Sequence, residues 1–366
     1  MSKRVESIAD IAHFRQAWKR FVQTEVKGEF VKPVTMVNNG YLHALNASFD
    51  GLFLREQQSD SLLQARRPMN FGTIQPCVRI DDNFKSRAST LHLGLFEIWG
   101  TSVLGFDSTT PSQMAKSTIR EFLTFYKDYF KLDPNDLRVY YFGGGTLADI
   151  SHGRAQSQDF IKPDDFSVDI WTSNGLQPSQ LIPEHTNETL LLHLGNPLRE
   201  HHSGYRNDIF IDVNGNPYEI ATLNFISHQS VIENGQVIGI RPLPFYLREV
   251  AFGQERLFSA LNRSGDVYEL PHVAPLVAQS NRDLADALRV IHYVVSDGWT
   301  LDRLPGNKYR EHRKELRSCL ERITKSSLGQ SEIEALLEFN AKLQPWYQSL
   351  EAGLKRTLQE VISYNR

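Results

Sequence analysis

Residues 75–100, QPCVRIDDNFKSRASTLHLGLFEIWG, constrain the fold more than any other part of the chain. An apolar run ending in Val78 and Ile80 leads into the mostly polar segment DDNFKSRAST, and a second strand pattern covers residues 91–99. The period of two places His92 and Phe96 on one face of that strand and three leucines on the other. The pattern therefore predicts a β-hairpin with one face in the core and the other open to a ligand.

The ligand face carries Arg79 and Asp81 before the polar segment and His92 and Phe96 after it. A guanidinium binds phosphate oxygens through paired N–H groups, and an aromatic ring stacks on a flat base. These residue types favour a nucleotide site. The alternative is a surface hairpin in which Arg79 pairs with Asp81 or Asp82, so a second motif is needed to decide.

Composition and charge narrow the classes of protein. The chain has 366 residues, 40% of them hydrophobic and 23% charged, which is enough for two domains with cores of their own. A net charge of -3 gives no general attraction to nucleic acid, so we expect no DNA partner. The N-terminal sequence lacks a signal-peptide core and no apolar run reaches the length of a membrane span. We expect a cytoplasmic protein without a membrane partner.

Cysteine and histidine spacing argues against a structural metal site. Cys77 and Cys319 are far apart, so neither a disulfide framework nor a cysteine zinc site is expected. Four histidines lie between residues 193 and 228, but no acidic or cysteine partner has ligand spacing. The sequence predicts no metal site of the protein zinc type.

A second motif, Gly253-Gln254-Glu255-Arg256, follows a strand pattern that ends near Val250 and opens a helical pattern. Helical patterns also cover residues 7–22 and 112–131, and strand patterns cover 137–142, 188–196, 208–213 (DIFIDV) and 218–227 (starting YEI). The first helix has Ser7 and Asp10 as a predicted capping pair, a short helix after Phe166 is expected to stop at Gly175, and later helices are expected to be capped at Ser280 and Ser331. The fold class predicted is α+β, with a mostly antiparallel sheet flanked by helices in residues 1–275 and a helical domain in residues 276–366. An ordinary helix start with an exposed Arg256 is the alternative for the second motif.

The two motifs occur in the order found in one family. The order Arg-x-acid, loop, His-x-x-x-Phe resembles motif 2 of class II aminoacyl-tRNA synthetases, and its CVR and FE segments are similar to the alanyl-tRNA synthetase catalytic core. Gly-x-Glu-Arg resembles motif 3, and the resemblance extends over roughly residues 5–325. It implies a site for ATP and Mg²⁺.

The resemblance also assigns roles to individual residues. Arg79 would hold the α-phosphate and the amino-acid carboxylate, with Asp81 in the same ATP site. His92 and Arg256 would bind the outer phosphates, and Phe96 would stack on adenine. Arg79 and Arg256 would be the catalytic pair, since carboxylate attack on phosphorus needs positioning and charge neutralisation rather than a protein nucleophile.

The amino-acid pocket departs from the family pattern at four positions. Glu249 falls where the family has an ammonium-binding aspartate, and Ala251 falls where it has a glycine. Leu192 replaces a pocket tryptophan, and Thr222 lies in place of the second residue of a Trp-Asn pair. The identity of the amino acid therefore stays open. The chain is expected to be a truncated paralogue without editing or C-terminal oligomerising domains, and its oligomeric state is open.

The molecule that would accept the activated amino acid is the feature that the sequence constrains least. Residues 301–325 contain eight Lys or Arg and four Asp or Glu, a net charge of 8 − 4 = +4 in an otherwise acidic chain. This stretch is the candidate for docking tRNA, and a solvated helix face with i,i+4 ion pairs is the alternative. The leading hypothesis is an ATP-dependent ligase that activates an amino acid and transfers it to tRNA, a small molecule or a carrier protein. The alternative is an inactive synthetase paralogue that binds RNA or protein.

Overall fold

The structure is a computed structural model. It describes residues 4–33, 37–38, 41–42, 66–78, 89–106, 108–150, 158–186, 188–190, 202–234, 236–300 and 310–364.

A single large sheet organises the described part of the chain. Its eight strands run in the order β1-β4-β5-β12-β11-β10-β6-β9, with two parallel pairs at the edges, β1 with β4 and β6 with β9, and antiparallel pairing between them. Two short pairs lie outside this sheet, β2 with β3 and β7 with β8. The strand bounds are β1 Glu29–Phe30, β2 Val37–Asn38, β3 Tyr41–Leu42, β4 Met69–Val78, β5 Leu95–Gly105, β6 Leu137–Phe142, β7 Gly145–Thr146, β8 Phe160–Ile161, β9 Leu181–Glu184, β10 His202–Val213, β11 Asn216–Glu233 and β12 Gln236–Gly253.

Helices cover one face of the sheet and fill the C-terminal part of the chain. Their bounds in the described residues are α1 Ile8–Thr24, α2 Pro111–Thr124, α3 Leu147–Ile150, α4 Asp165–Ser173, α5 Gln254–Asn262, α6 Ala274–Gln279, α7 Arg282–Ser296, α8 Arg310–Thr324, α9 Gln330–Leu343 and α10 Gln348–Tyr364.

Helix α1 begins where its sequence predicts. Ser7 accepts a hydrogen bond from the Asp10 N–H, and the Asp10 carboxylate accepts from the Ser7 N–H, which satisfies two backbone donors that the helix leaves unpaired. The apolar face then buries Phe14 and Trp18 completely or almost so. On the sheet, Phe252 of β12 contacts Trp18, with ring centroids 5.7 Å apart. Helix α1 therefore covers the core face of the sheet.

Two hydrophobic clusters divide most of the buried apolar residues. The larger one lies between the sheet and helices α1, α2, α4 and α5, and the second is built mainly from α7 to α10. Val78 of β4 and Leu95 of β5 belong to the second cluster, so the C-terminal helices pack against the end of the β4–β5 hairpin. The predicted α+β class, an antiparallel sheet flanked by helices and followed by helices, is confirmed. The boundary at residue 275 stays a prediction.

The hairpin predicted over residues 75–100 forms, but its second strand starts later than expected. Strand β5 begins at Leu95 rather than Leu91, so His92 precedes the strand. The reason is tertiary, because the backbone before Leu95 bonds to other elements: the Leu91 carbonyl accepts from Arg256 and the Gly94 N–H donates to Asp286.

The sequence predicted the ends of other helices to within one or two residues. Helix α7 is capped by Asn281, which accepts from the Leu284 N–H, rather than by Ser280. Helix α9 is preceded by Gly329 rather than capped by Ser331. The predicted helix stop at Gly175 is confirmed, with a φ of +99°. None of the helices in the described residues is both long and apolar enough to cross a membrane.

Candidate functional site

The face of the sheet opposite α1 brings together residues that the sequence places far apart. Thr222 of β11 pairs with Ala251 of β12, and Ala251 pairs with Gly100 of β5. Side chains alternate between faces along a strand, so Glu249 lies on the same face as Ala251. Phe96 of β5 is half-buried and packs with Ala251 in the same small cluster. Four predicted site residues therefore share one face of three adjacent strands.

Glu249 is held in this face by two uncharged donors. Its carboxylate accepts from Ser102 Oγ at 3.1 Å and from Asn224 Nδ2 at 3.2 Å. These partners sit directly beside it in the sheet, because Glu249 pairs in register with Ser102 on one side and Asn224 on the other. The residue is only 4% exposed. These bonds orient the Glu249 carboxylate within the sheet face.

Arg256 lies at the start of α5, directly after β12. Its Nε donates to the Leu91 carbonyl at 3.2 Å, and its Nη1 pairs with Glu219 Oε2 of β11 at 3.0 Å. His92 follows Leu91 in the chain, and its Nδ1 lies 2.8 Å from Ser89 Oγ. The structure thus brings the His92 segment and Arg256, which are separated by more than 160 residues, to the same end of the sheet.

Sequence reasoning missed a line of alternating charges next to Arg256. Glu219 of β11 lies between Arg256 and Arg206 of β10, and its Oε1 is 3.6 Å from Arg206 Nη2. Arg206 Nε in turn donates to Asp208 Oδ1 at 2.5 Å. Burial raises the pKa of Asp208 to about 7; Arg206 opposes this rise and Glu219 adds to it. The strand segments DIFID and YEI contain Asp208 and Glu219 and could have indicated charges near the site. The pairing of β10 with β11 decides which of these charges lie close together.

Glu255, the neighbour of Arg256, ties helix α5 to strand β5. Both of its carboxylate oxygens accept from the Glu97 N–H, at 3.2 and 3.0 Å. Burial raises the pKa of Glu255 to about 7. The preceding residue, Gln254, accepts from Trp99 Nε1 of the same strand at 3.1 Å. The helix that carries Arg256 is therefore fixed to the strand that carries Phe96.

Three predicted residues lie outside the described residues: Arg79, Asp81 and Leu192. The structure brings together Phe96, Thr222, Glu249 and Ala251 on the sheet face, and His92 and Arg256 at its end. In the parts of the chain that are described, no three His, Cys, Asp or Glu side chains converge as ligands for a metal ion.

No protein-family model matches this chain, and no curated protein matches it. Similar solved structures include a pyrrolysyl-tRNA synthetase from Desulfitobacterium hafniense, with 9% identity, a TM-score of 0.36 and 70% of each chain covered. The RNA-binding domain of threonyl-tRNA synthetase from Cryptosporidium parvum has 9% identity and a TM-score of 0.39, over 70% of this chain and 63% of that one. A protein assigned as a threonyl-tRNA synthetase of Aeropyrum pernix has 11% identity and a TM-score of 0.39, over 77% of this chain and 70% of that one. These likenesses concern the overall fold and assign no activity by themselves.

Proposed function

We propose that this protein is an ATP-dependent amino-acid-activating ligase of the alanyl-tRNA synthetase type. An amino-acid carboxylate oxygen attacks the α-phosphorus of ATP, the bond from that phosphorus to the bridging oxygen breaks, and pyrophosphate leaves. The observation that carries the proposal is the assembly of Phe96, Thr222, Glu249 and Ala251 on one sheet face, with Arg256 at its end. The positions were predicted from separate parts of the chain: the first motif gave Phe96, the second gave Arg256, and the comparison of the amino-acid pocket with the family pattern gave Thr222, Glu249 and Ala251.

Each described residue has a role that its contacts support. Arg256 is a half-buried cation whose carboxylate partner among the described residues is Glu219, so phosphate oxygens can replace or share that partner. Glu249 supplies a fixed negative charge for the ammonium group of the amino acid. Phe96 offers an aromatic surface for adenine. The chemistry then depends on positioning and on cations near the leaving pyrophosphate.

Mg²⁺ fits this site only if it is bound to the triphosphate of ATP. The described residues provide no cluster of three ligands, whereas Mg²⁺ bound to nucleotide phosphates needs only one or two protein carboxylates. Under this proposal Glu219 and Asp208, which both pair with Arg206, are the carboxylates that would hold it. Bound there, it would neutralise phosphate charge.

The test of activation is exchange of labelled pyrophosphate into ATP in the presence of each common amino acid. We expect Arg256→Ala to lower exchange by about 10- to 100-fold, because a charge-assisted hydrogen bond contributes roughly 1.5 to 3 kcal/mol. Arg79→Ala should have a similar effect. Arg138→Ala is the matched control, since this arginine forms only an exposed ion pair with Asp212. Undiminished exchange in both site variants, or no exchange with any amino acid, would reject the assignment and favour the inactive-paralogue hypothesis.

For the acceptor, we propose that transfer to standard alanine tRNA is weak and that another tRNA, a small molecule or a carrier protein receives the aminoacyl group. Helix α8 carries Lys314 and Arg317 on its exposed side, beside the half-buried Arg313. If tRNA docks there, binding should weaken with salt, each neutralised phosphate adding about 0.7 to 0.9 to the log-log slope. A transfer assay with total tRNA, repeated over a salt series and with Arg313→Ala plus Arg317→Ala, tests this. Rapid, salt-sensitive charging of alanine tRNA would identify a minimal synthetase instead.

A further inference from the structure

Helix α7 carries a buried arginine, Arg289, whose N–H groups have no acceptors in the described part of the chain. Arg289 is 1% exposed, and its Nε and Nη1 are both buried without a hydrogen-bond partner. Asp286, one turn earlier on the same helix, directs both carboxylate oxygens to the Gly94 N–H. Buried donors of a charged group are costly to leave without acceptors, and native proteins rarely do so. The Arg289 guanidinium therefore marks a position where an acceptor is expected.

Two further buried nitrogens without partners lie beside Arg289. They are Nδ1 of His272, just before α6, and Nε1 of Trp346, just before α10. The two rings have centroids 6.0 Å apart. Burial lowers the pKa of His272 to about 3 and the nearby Arg289 charge lowers it further, so the ring is neutral. We refer to Arg289 Nε and Nη1, His272 Nδ1 and Trp346 Nε1 as the nitrogen cluster.

The carboxylates of this region are directed to other donors. Glu97 accepts from the Arg15 guanidinium and from the Tyr347 hydroxyl. Both oxygens of Glu255 accept from the Glu97 N–H. Burial raises the pKa of Glu255 to about 7, although the Glu97 hydrogen bond and the Arg289 charge oppose this rise. At neutral pH Glu255 therefore supplies only part of a negative charge opposite Arg289.

The nitrogen cluster lies on the other side of strand β5 from the proposed ATP and amino-acid site. Side chains alternate along a strand, so Glu97 and Phe96 point to opposite faces. Arg15 joins the cluster to the Glu97 side, because its guanidinium pairs with Glu97 and lies over the Trp346 ring, 4.8 Å from the centroid. A ligand of the cluster is therefore separate from the substrates of the proposed reaction.

The chemistry of the nitrogen cluster favours an anion. Guanidinium and indole N–H groups donate hydrogen bonds and accept none, and a neutral imidazole donates from the nitrogen that carries its proton. A small anion accepts from several donors at once and also matches the Arg289 charge, whereas a water molecule leaves that charge unmatched. Trp346 as a whole is half-buried although its Nε1 is buried, which gives the cluster a route to solvent.

We propose that the nitrogen cluster binds a small monovalent anion such as chloride, held mainly by the Arg289 guanidinium and the Trp346 indole N–H. The anion supplies the acceptor that Arg289 lacks at the junction of α5, α7 and the segment before α10. Its binding stabilises the packing of the C-terminal helices against the rest of the chain. This inference is independent of the proposed function.

The chlorine NMR line width measures chloride binding, because it broadens when chloride exchanges with a protein site. The titration uses the full chain, with sodium gluconate holding the ionic strength constant. For the wild-type protein we expect broadening that saturates with chloride. Affinity should fall about tenfold or more in Arg289→Met, which removes the charged donors, and about two- to tenfold in Trp346→Phe, which removes one neutral donor. Arg138→Met is the control, since it removes the same charge from an exposed ion pair with Asp212 and should keep the wild-type affinity.

Unfolding and diffraction give two independent readouts. Because an anion that binds only the folded state stabilises it, the wild-type midpoint of thermal unfolding should be higher in chloride than in gluconate, and Arg289→Met should reduce this difference. If Arg289→Met does not fold, Trp346→Phe takes its place. In crystals grown with bromide, an anomalous peak beside Arg289 Nη1 supports the proposal. An ordered water there without such a peak, no broadening with the wild-type protein, or wild-type affinity in Arg289→Met overturns it.

Discussion

At the scale of single residues, burial sets the charge state of several groups away from the sheet face. Asp164 is fully buried, and its carboxylate accepts from the Ser167 N–H at 3.1 Å and from Asn207 Nδ2 at 2.9 Å. Burial raises its pKa to about 7, although these hydrogen bonds act in the opposite direction. The folded protein therefore holds a proton on Asp164 at pH values where the unfolded chain has lost it.

This raised pKa predicts a pH dependence of stability. The contribution of Asp164 is fully present below its unfolded pKa of about 4 and is lost as the pH rises through 7, by up to about 1.4 kcal/mol per pH unit. In Asp164→Asn, the free energy of unfolding should fall less steeply between pH 5 and pH 8 than in the wild-type protein. Urea unfolding at several pH values measures the slopes. Asp165→Asn, at an exposed neighbour, is the control, and equal slopes in all three proteins would contradict the prediction.

His292 shows the opposite shift. Burial lowers its pKa to about 4, and its Nε2–H donates to the Leu350 carbonyl at 3.0 Å while Nδ1 accepts from Asn340 Nδ2 at 3.0 Å. Asn340 Oδ1 in turn accepts from Gln344 Nε2, so the surrounding groups are matched to a neutral ring. Protonation would place an N–H opposite the Asn340 amino group.

We therefore expect His292 to remain neutral, with its proton on Nε2, down to about pH 5 in the folded protein. Nitrogen NMR of the imidazole ring reports both the charge and the tautomer. Because the folded-state pKa is lowered, this residue contributes stability above pH 6.5 that is lost as the pH falls toward 4. A ring that titrates near pH 6.5 while the protein stays folded would show that the buried network is not as described.

At the scale of elements, the pairing of β10 with β11 positions the charged residues of the candidate site. Gly204 of β10 lies at an irregularity in the pairing, and a Cβ atom added there would lie 2.0 Å from the Phe225 carbonyl oxygen of β11. Backbone atoms of a central strand cannot move aside as a flexible side chain does. Arg206 and Asp208 follow on the same strand, so a displaced β10 would also displace them.

Gly204→Ala should accordingly destabilise the protein by about 1 to 3 kcal/mol or more, the usual cost of overpacking. Gly239→Ala provides the comparison, because a Cβ atom at that position of β12 would have no neighbour within 4 Å. Denaturant unfolding of the two variants measures the difference. The expectation fails if both variants match the wild-type midpoint.

At the scale of the whole molecule, one buried carboxylate, Glu97, connects helix α1 and the sheet to the start of the last helix. Arg15 of α1 pairs with Glu97 of β5, and the Tyr347 hydroxyl, just before α10, donates to the same carboxylate. The Arg15 guanidinium also lies over the Trp346 ring, 4.8 Å from its centroid. Glu97 is 3% exposed, so these partners take the place of water around its carboxylate. One carboxylate therefore links three separate parts of the chain.

Removing one member of this pair should be costly. We expect Glu97→Leu to destabilise the protein by about 3 to 5 kcal/mol, because it leaves the Arg15 charge buried without its partner. The double variant Arg15→Met plus Glu97→Leu should lose less than the sum of the single variants. A double-mutant cycle by urea unfolding measures this coupling, with the exposed Arg138 and Asp212 pair as a control worth about 0 to 1 kcal/mol. Strict additivity at Arg15 and Glu97 would mean that the two side chains do not stabilise each other in the folded protein.

The sequence by itself determined the features that depend on near neighbours in the chain. The Ser7 and Asp10 capping box, strand Leu137–Phe142 and the start of α5 after Gly253 were predicted, because capping and periodicity act over a few residues. The α+β class followed from the order of these elements. The family resemblance also selected Arg256, through the second motif, and Glu249, through the comparison of the amino-acid pocket, in advance of any geometry.

Only the tertiary structure decided which side chains meet. Strand β5 begins at Leu95 because the preceding backbone bonds to Arg256 and Asp286, which are more than 160 residues away in the chain. The charge line through Arg206 and Glu219 depends on strand register. A shift of one residue would turn these side chains to the other face of the sheet. Register is set by packing and pairing across the whole sheet, so no local pattern in the sequence specifies these contacts.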